Sequence, residues 1–114
     1  MFKFAINYLH MTTVEIQNMI PIIRDFLKGQ PIERAYLFGS CARGEEMPDS
    51  DVDLLVKYDD DSNLSLLDIS RMIVNLSRRI DRKVDLVEED RLKSFAVESV
   101  NHDKIMIYER TGQR

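Results

Sequence analysis

The sequence is poor in the features that mark secreted, membrane-spanning and nucleic-acid-coating proteins. It holds a single cysteine, Cys41, in 114 residues, so no internal disulfide can form and a reducing, cytoplasmic location is expected. No apolar run approaches the ~18 residues of a membrane-spanning helix, and residues 1–10 lack the long apolar region of a signal peptide. The net charge of −4 argues against an extended nucleic-acid-binding face, although a local basic site stays open.

Internal repeats, linkers and low-complexity tracts are also missing, and 114 residues with 44% hydrophobic and 32% charged residues are typical of one globular domain. We expect that domain at residues 12–110, with an N-terminal extension at 1–11 and a C-terminal tail at 111–114. Thr12-x-x-Glu15 matches a capping box that opens a helix. Because this helix start directly follows Met11, either Met1 or Met11 fits as the native start.

Helices and strands are predicted to alternate, which favours an α/β or α+β fold. The first helix has apolar residues on one face and is expected to kink, or to begin a second segment, at Pro21. A second amphipathic helix carries Leu66, Ile69, Ile73, Leu76 and Ile80 on its apolar face. The other predicted elements are strands at 32–38, 51–58, 83–87 and 104–108, a short helix within 39–44, an acidic loop at 45–50 and a helix at 91–100.

Three aspartates on predicted strands are candidates for a metal site. Asp51 and Asp53 are two residues apart, so they share one strand face. Two neighbouring carboxylates repel each other, and a divalent cation such as magnesium relieves that repulsion. Asp85 lies between apolar residues on the next strand and would join the pair if the two strands are neighbours. The simpler alternative is an exposed strand start at Asp51 and Asp53, with a surface ion pair at Asp85.

Gly39-Ser40 follows an apolar strand and has the character of a phosphate-binding turn. Glycine permits a positive φ and a close approach of phosphate to the backbone. Ser40 offers a hydroxyl and an N–H group, and Arg43 could reach the same phosphates. The alternative is a strand-to-helix turn with a serine cap. The spacing matches neither a Walker loop nor a dinucleotide-binding fingerprint.

The segment 37–44, LFGSCARG, followed by 50–56, SDVDLLV, closely resembles the minimal nucleotidyltransferase (MNT) family of the DNA polymerase β-like superfamily. The resemblance extends from about Thr12 to Tyr108 and includes Asp85 within VDLV. It implies a single nucleotidyltransferase domain with a mixed β-sheet flanked by helices. It also implies that Asp51, Asp53 and Asp85 are the catalytic residues and bind two Mg²⁺ ions, with Asp85 helping to activate the attacking hydroxyl. The nucleotide-binding positions implied are Gly39, Ser40, Arg43 and Ser50, with ATP as the substrate.

Members of this branch act as antitoxins of HEPN (higher eukaryotes and prokaryotes nucleotide-binding) toxins, and characterised pairs transfer AMP to a toxin tyrosine. The resemblance therefore implies a HEPN toxin as the partner. Residues remaining after the sheet and helices are too few for a separate acceptor-binding domain, which fits an acceptor brought by another protein. Two alternatives stay open: an antitoxin that acts by binding alone, and transfer of a nucleotide to a small molecule or RNA end. A basic cluster at Arg78, Arg79, Arg82 and Lys83 is either a solvated helix end or a partner-binding patch.

Overall fold

A computed structural model describes residues 14–43, 51–91 and 104–110 of the protein. In chain order, those residues form α1 (Val14–Leu27), β1 (Ile32–Phe38), α2 (Ser40–Arg43), β2 (Val52–Tyr58), α3 (Leu66–Ile80), β3 (Val84–Glu88), the 3-10 turn Glu89–Arg91 and β4 (Ile105–Glu109). The expected alternation of helices and strands is confirmed. Each described strand begins and ends within one residue of its predicted limits.

The four strands form one mixed sheet in the order β3-β2-β1-β4. Strand β1 is antiparallel to both β2 and β4, whereas β2 and β3 are parallel. A parallel pair requires a crossover connection, and α3 lies on the chain between β2 and β3. The expected mixed sheet flanked by helices is confirmed. Strands β2 and β3 are neighbours, which meets the condition on which the position of Asp85 depends.

The core lies between the helices α1 and α3 and one face of the sheet. Fully buried side chains come from both helices and from the sheet: Ile20, Ile23, Leu37, Leu54 and Leu76. Burying one such side chain is worth roughly 1.5–3 kcal/mol. Successive strand residues point to opposite faces. Because Val52, Leu54 and Val56 enter this core, Asp53 lies on the opposite face of β2.

Helix α1 continues through Pro21 as a single helix, so the prediction of a second segment beginning there is wrong. Pro21 is exposed, whereas Ile20 and Ile23 on either side of it are buried in the core. Proline removes one backbone hydrogen bond from a helix interior. Packing of the buried face holds the helix together across that position, because tertiary contacts supply most helical stability in a folded domain.

Helix α3 begins with a capping box that was not among the expectations. The Asp68 backbone N–H donates to the Ser65 hydroxyl, and the Ser65 backbone N–H donates to the Asp68 carboxylate. The apolar face predicted for this helix is only partly buried. Leu76 and Ile80 are buried together with Met72, but Leu66 is 84% exposed. Both leucines of the first turn of α3, Leu66 and Leu67, are therefore exposed.

Several expectations lie outside the described residues: the Thr12 cap, the acidic loop at 45–50, and the helix from residue 92 onward. Of the helix predicted at 91–100, the structure describes only Arg91, which is the last residue of the 3-10 turn Glu89–Arg91. The domain limits at 11/12 and 110/111 stay predictions. Within the three described ranges, no helix is both long and apolar enough to cross a membrane.

Candidate active site

The three predicted carboxylates lie at one end of the parallel pair β2 and β3. Asp53 is the direct partner of Asp85 across these strands, and Val52 is the partner of Val84. Neighbouring strands are ~4.8 Å apart, so Asp53 and Asp85 are adjacent on the sheet. Asp51 directly precedes β2. The parallel register thus places the aspartates beside one another although 32 residues separate Asp53 from Asp85 in the chain.

The electrostatic environment of Asp53 reflects this grouping. Partial burial raises the pKa of Asp53 above its ordinary value, and the negative charges of Asp85 and Asp51 raise this pKa further. Asp85 is exposed, and the Asp51 side chain is 45% exposed. Burial and neighbouring negative charge both oppose the ionisation of Asp53, which lies beside Asp85 in the strand register and two residues after Asp51.

Gly39 brings the turn after β1 into contact with Asp53. The last residue of β1, Phe38, pairs with Asp53, and Gly39 then turns the chain with a φ of +75°. A Cβ atom at Gly39 would lie 2.7 Å from the Asp53 Oδ2 atom, closer than real Cβ contacts allow. Both the positive φ and this close approach require glycine. The predicted phosphate-binding turn and the predicted metal-binding carboxylate are therefore in direct contact.

The one-turn helix α2 anchors the other end of this turn. Cys41 and Ala42 are fully buried, and the Ala42 N–H donates to the Gly39 carbonyl oxygen at 3.1 Å. The Cys41 thiol donates to the Asp51 carbonyl oxygen across 3.4 Å. This contact connects α2 to the chain at the start of β2 and gives Cys41 a structural role. Ser50 and the side chains of Ser40 and Arg43 lie outside what the structure describes.

Lys83 is a site neighbour that the sequence reasoning placed elsewhere. Its Nζ atom lies 3.9 Å from the Asp51 Oδ2 atom, and its carbonyl oxygen accepts a 2.8 Å hydrogen bond from the Val52 N–H. The sequence grouped Lys83 with a basic helix end. Its position in the sequence could have indicated this proximity, because Lys83 directly precedes β3 just as Asp51 directly precedes β2.

Two other members of that basic cluster, Arg79 and Arg82, have partners within the chain. Arg79 pairs with Asp25 at 3.5 Å and its guanidinium lies 5.3 Å from the centre of the Phe26 ring. Arg82 forms an ion pair with Glu15 of α1. These two arginines therefore connect α3 and the residues after it to α1.

Beyond the carboxylates, the same face of the sheet carries aromatic and charged side chains. The Lys104 ammonium lies 4.2 Å from the centre of the Tyr36 ring, a cation–π contact. Arg34 makes a two-pronged contact with Glu89, at 2.9 Å from Nε and 3.0 Å from Nη2. Its hydrogen bond with Glu89 raises the pKa of Arg34, and burial together with Glu89 raises the pKa of Tyr36. This network connects β1 to the turn after β3.

The site can be tested for its fit to a divalent cation from its donor chemistry. Carboxylate oxygens are the ligands that magnesium prefers, and the repulsion on Asp53 is what a bound cation would relieve. Within residues 14–43, 51–91 and 104–110, no three acidic, histidine or cysteine side chains already stand as a finished ligand set. The donors and their charges fit the ion, and side-chain adjustment would have to complete the coordination.

A large cavity lies away from this site. Its volume is about 630 Å³, and its lining includes Tyr58, Leu64, Ile69 and Leu86 but none of the three aspartates. Five residues along β2 separate Asp53 from Tyr58, a distance of ~17 Å at the usual strand rise. The cavity also lies on the α3 side of the sheet, since Tyr58 and Leu86 pack against the main core. This cavity is therefore separate from the carboxylates.

The sheet, the Gly39 turn and the carboxylates lie within the part of the chain that matches a known family. The family described as "Polymerase beta, Nucleotidyltransferase" matches residues 22–113, which include every described strand. The chain belongs to this family of nucleotidyltransferases.

Comparisons with individual proteins point to the small members of the family. A provisionally named protein adenylyltransferase of Methanocaldococcus jannaschii, MJ1379, is 29% identical over 98 residues, covering 84% of this chain and 98% of the relative. A solved structure of a provisionally named minimal nucleotidyltransferase is 31% identical with a TM-score of 0.68, covering 84% of this chain and 96% of that one. Together these matches confirm the minimal nucleotidyltransferase assignment.

A third comparison concerns the fold alone. A chain in the structure of a tri-AMPylated Shewanella oneidensis HEPN toxin in complex with an MNT antitoxin matches with a TM-score of 0.62. It is 20% identical, over 82% of this chain and 72% of that one. The architecture described above therefore also occurs in a toxin–antitoxin assembly.

Proposed function

We propose that this nucleotidyltransferase transfers AMP from ATP to a tyrosine hydroxyl of a partner HEPN toxin, and so acts as an antitoxin. The observation that carries the proposal is the contact of the Gly39 turn with Asp53, next to Asp85 and Asp51. A backbone turn suited to phosphate beside clustered carboxylates is what nucleotidyl transfer requires. The named adenylyltransferase relative and the toxin–antitoxin structure support the AMP donor and the protein acceptor.

In the proposed reaction, the acceptor oxygen forms a bond to the α-phosphorus of ATP. The bond between the α-phosphorus and the bridging oxygen breaks, and pyrophosphate leaves. Asp51 and Asp53 would hold magnesium, and Asp85 would complete the set and draw the proton from the acceptor hydroxyl. Bound magnesium supplies alignment of the phosphates and neutralisation of their charge. Gly39, and by resemblance Ser40, Arg43 and Ser50, would hold the triphosphate.

The proposal is tested with ATP labelled at the α-phosphate, magnesium and the protein encoded beside this chain. Label should appear on the partner with the wild-type chain and should be absent with Asp53→Asn. Asp61→Asn is a matched control, because Asp61 is an exposed turn residue and the charge change is the same. Absence of label with the wild type, or equal label with Asp53→Asn, contradicts the proposal.

The alternative of an antitoxin that acts by binding alone predicts a different outcome in cells. Under that alternative, Asp51→Ala and Asp85→Ala would protect against the toxin as well as the wild type does. Under our proposal both variants lose protection. Growth of cells that express the toxin with each variant separates the two functions.

A further inference from the structure

Lys83 and Asp51 occupy equivalent positions at the start of two parallel strands. The hydrogen bond from the Val52 N–H to the Lys83 carbonyl oxygen, 2.8 Å long, fixes the two backbones side by side. The Lys83 Nζ atom lies 3.9 Å from the Asp51 Oδ2 atom. The base of the lysine side chain is therefore rigidly placed, and its ammonium lies at the rim of the carboxylate group.

The contact between these two side chains is suited to exchange. The Lys83 side chain is 79% exposed and that of Asp51 is 45% exposed, and such exposed ion pairs contribute little to stability. Lysine carries its charge on a flexible four-carbon stem with three donors. An ammonium at this position can leave Asp51 without unfolding anything and can contact a second anion nearby.

We propose that Lys83 is a phosphate-binding residue of the site, whose ammonium exchanges the Asp51 carboxylate for oxygens of the nucleotide's triphosphate. The inference rests on the proposed function, because Asp51 is there a ligand of the divalent cation. A cation held by Asp51 competes directly with the lysine for the same oxygen. The displaced ammonium then lies beside the phosphates that the cation accompanies.

This exchange has two consequences of opposite sign. Without nucleotide, the ammonium opposes cation binding, because two positive charges compete for Asp51 and repel each other. With nucleotide, the ammonium adds a charge-assisted contact to the phosphates. A lysine with no role beyond the ion pair with Asp51 would also oppose cation binding, but it would add nothing to the affinity for the nucleotide.

Lys57 provides a matched control within the same strand. It pairs with Asp60 at 3.1 Å and with Asp90 at 3.7 Å, and four residues of β2 separate it from Asp53. Lys57→Met therefore removes the same charge from the same molecule at a distance of ~13 Å along the strand. The variant Lys83→Arg keeps the charge of the proposed site.

The experiment measures Mn²⁺ binding by electron paramagnetic resonance. It also measures binding of ATP with a methylene group between the α- and β-phosphates, by calorimetry at saturating Mn²⁺. Lys83→Met should bind Mn²⁺ about three- to tenfold more tightly and the analogue at least about threefold more weakly. Lys57→Met should stay within about twofold of the wild type for both ligands, and Lys83→Arg should retain the wild-type affinity for the analogue.

If Lys83→Met matches Lys57→Met for either ligand, the exchange is overturned. A second result would contradict the proposed function and this inference together. In that case the wild-type chain binds neither Mn²⁺ nor the analogue, and its binding is the same as that of Asp53→Asn. Circular dichroism of each variant checks that the lysine has been replaced without change of fold.

Discussion

The Oδ2 atom of Asp53 lies 2.7 Å from the point that a Cβ atom on Gly39 would occupy. This contact joins the turn after β1 to a carboxylate on β2. The pairing of Phe38 with Asp53 in the antiparallel register brings the two segments together, and the φ of +75° at Gly39 turns the chain at that point. The geometry leaves no room for any larger residue without moving the carboxylate or the turn.

We predict that Gly39→Ala lowers the free energy of unfolding by about 1–2 kcal/mol, because an L-residue is strained in the left-handed region. Urea denaturation followed by circular dichroism measures the change. Gly29→Ala is the control, since the nearest atom to its added Cβ is the Phe26 carbonyl oxygen at an ordinary 3.8 Å. Equal stabilities for the two variants would contradict the strain at Gly39. We also expect Gly39→Ala, but not Gly29→Ala, to lose AMP transfer.

The raised pKa of Asp53 predicts a pH-dependent effect on stability in the absence of divalent cations. The folded state holds the Asp53 proton more tightly than the unfolded state does. Its contribution to stability is therefore fully present below the unfolded pKa of about 3.8 and is lost as the pH rises through the folded value. At neutral pH, Asp53→Asn should accordingly be more stable than the wild type in a chelating buffer. The difference should shrink as the pH falls through the folded pKa of Asp53 and should be smallest below the unfolded value of about 3.8.

Thermal unfolding across pH 3 to 8, with a chelator and then with added Mg²⁺, tests this prediction. Added Mg²⁺ should raise the melting temperature of the wild type, because a ligand that binds the folded state stabilises it. It should leave that of Asp53→Asn unchanged. Asp61→Asn, an exposed turn substitution, should behave as the wild type throughout. An Asp53→Asn variant that is less stable at neutral pH in the chelator would refute the electrostatic account.

The contact between Arg34 and Glu89 is predicted to couple β1 to the turn after β3. Both side chains are mostly shielded, at 28% and 19% exposure, and the contact is two-pronged. A double-mutant cycle with Arg34→Met and Glu89→Gln should give a coupling energy of about 1 kcal/mol. The same cycle on Arg91 and Glu88 should give less than about 0.5 kcal/mol, because Arg91 is 83% exposed. Equal coupling energies would show that the two-pronged geometry adds nothing.

Local patterns in the sequence are enough to predict the strands. Strand alternation and small-residue turns are properties of a few adjacent residues, so β1 and β2 were found within a residue of their limits. The sequence made the adjacency of Asp85 to Asp53 conditional on neighbouring strands, and the parallel register of β2 and β3 meets that condition. The cation and nucleotide roles of these residues stay predictions.

Other features depend on contacts between residues far apart in the sequence, which local patterns do not predict. The apolar periodicity of α3 shows which side of the helix faces the core, but not where the sheet beneath it ends, and Leu66 is consequently exposed. The ion pair of Lys83 with Asp51 arises from the pairing of β2 with β3. Continuity of α1 through Pro21 likewise depends on the packing of Ile20 and Ile23, which the helix propensities of the residues do not predict.

The mass of the partner toxin after incubation with this chain, ATP and Mg²⁺ tests the central claim most directly. Intact-protein mass spectrometry should show the toxin gaining one or more AMP groups with the wild-type chain. It should show no gain with Asp85→Asn, although that variant still binds the toxin in size-exclusion chromatography. A toxin left unmodified by the wild type, or modified equally by Asp85→Asn, would contradict the account of a carboxylate site that transfers AMP to a protein.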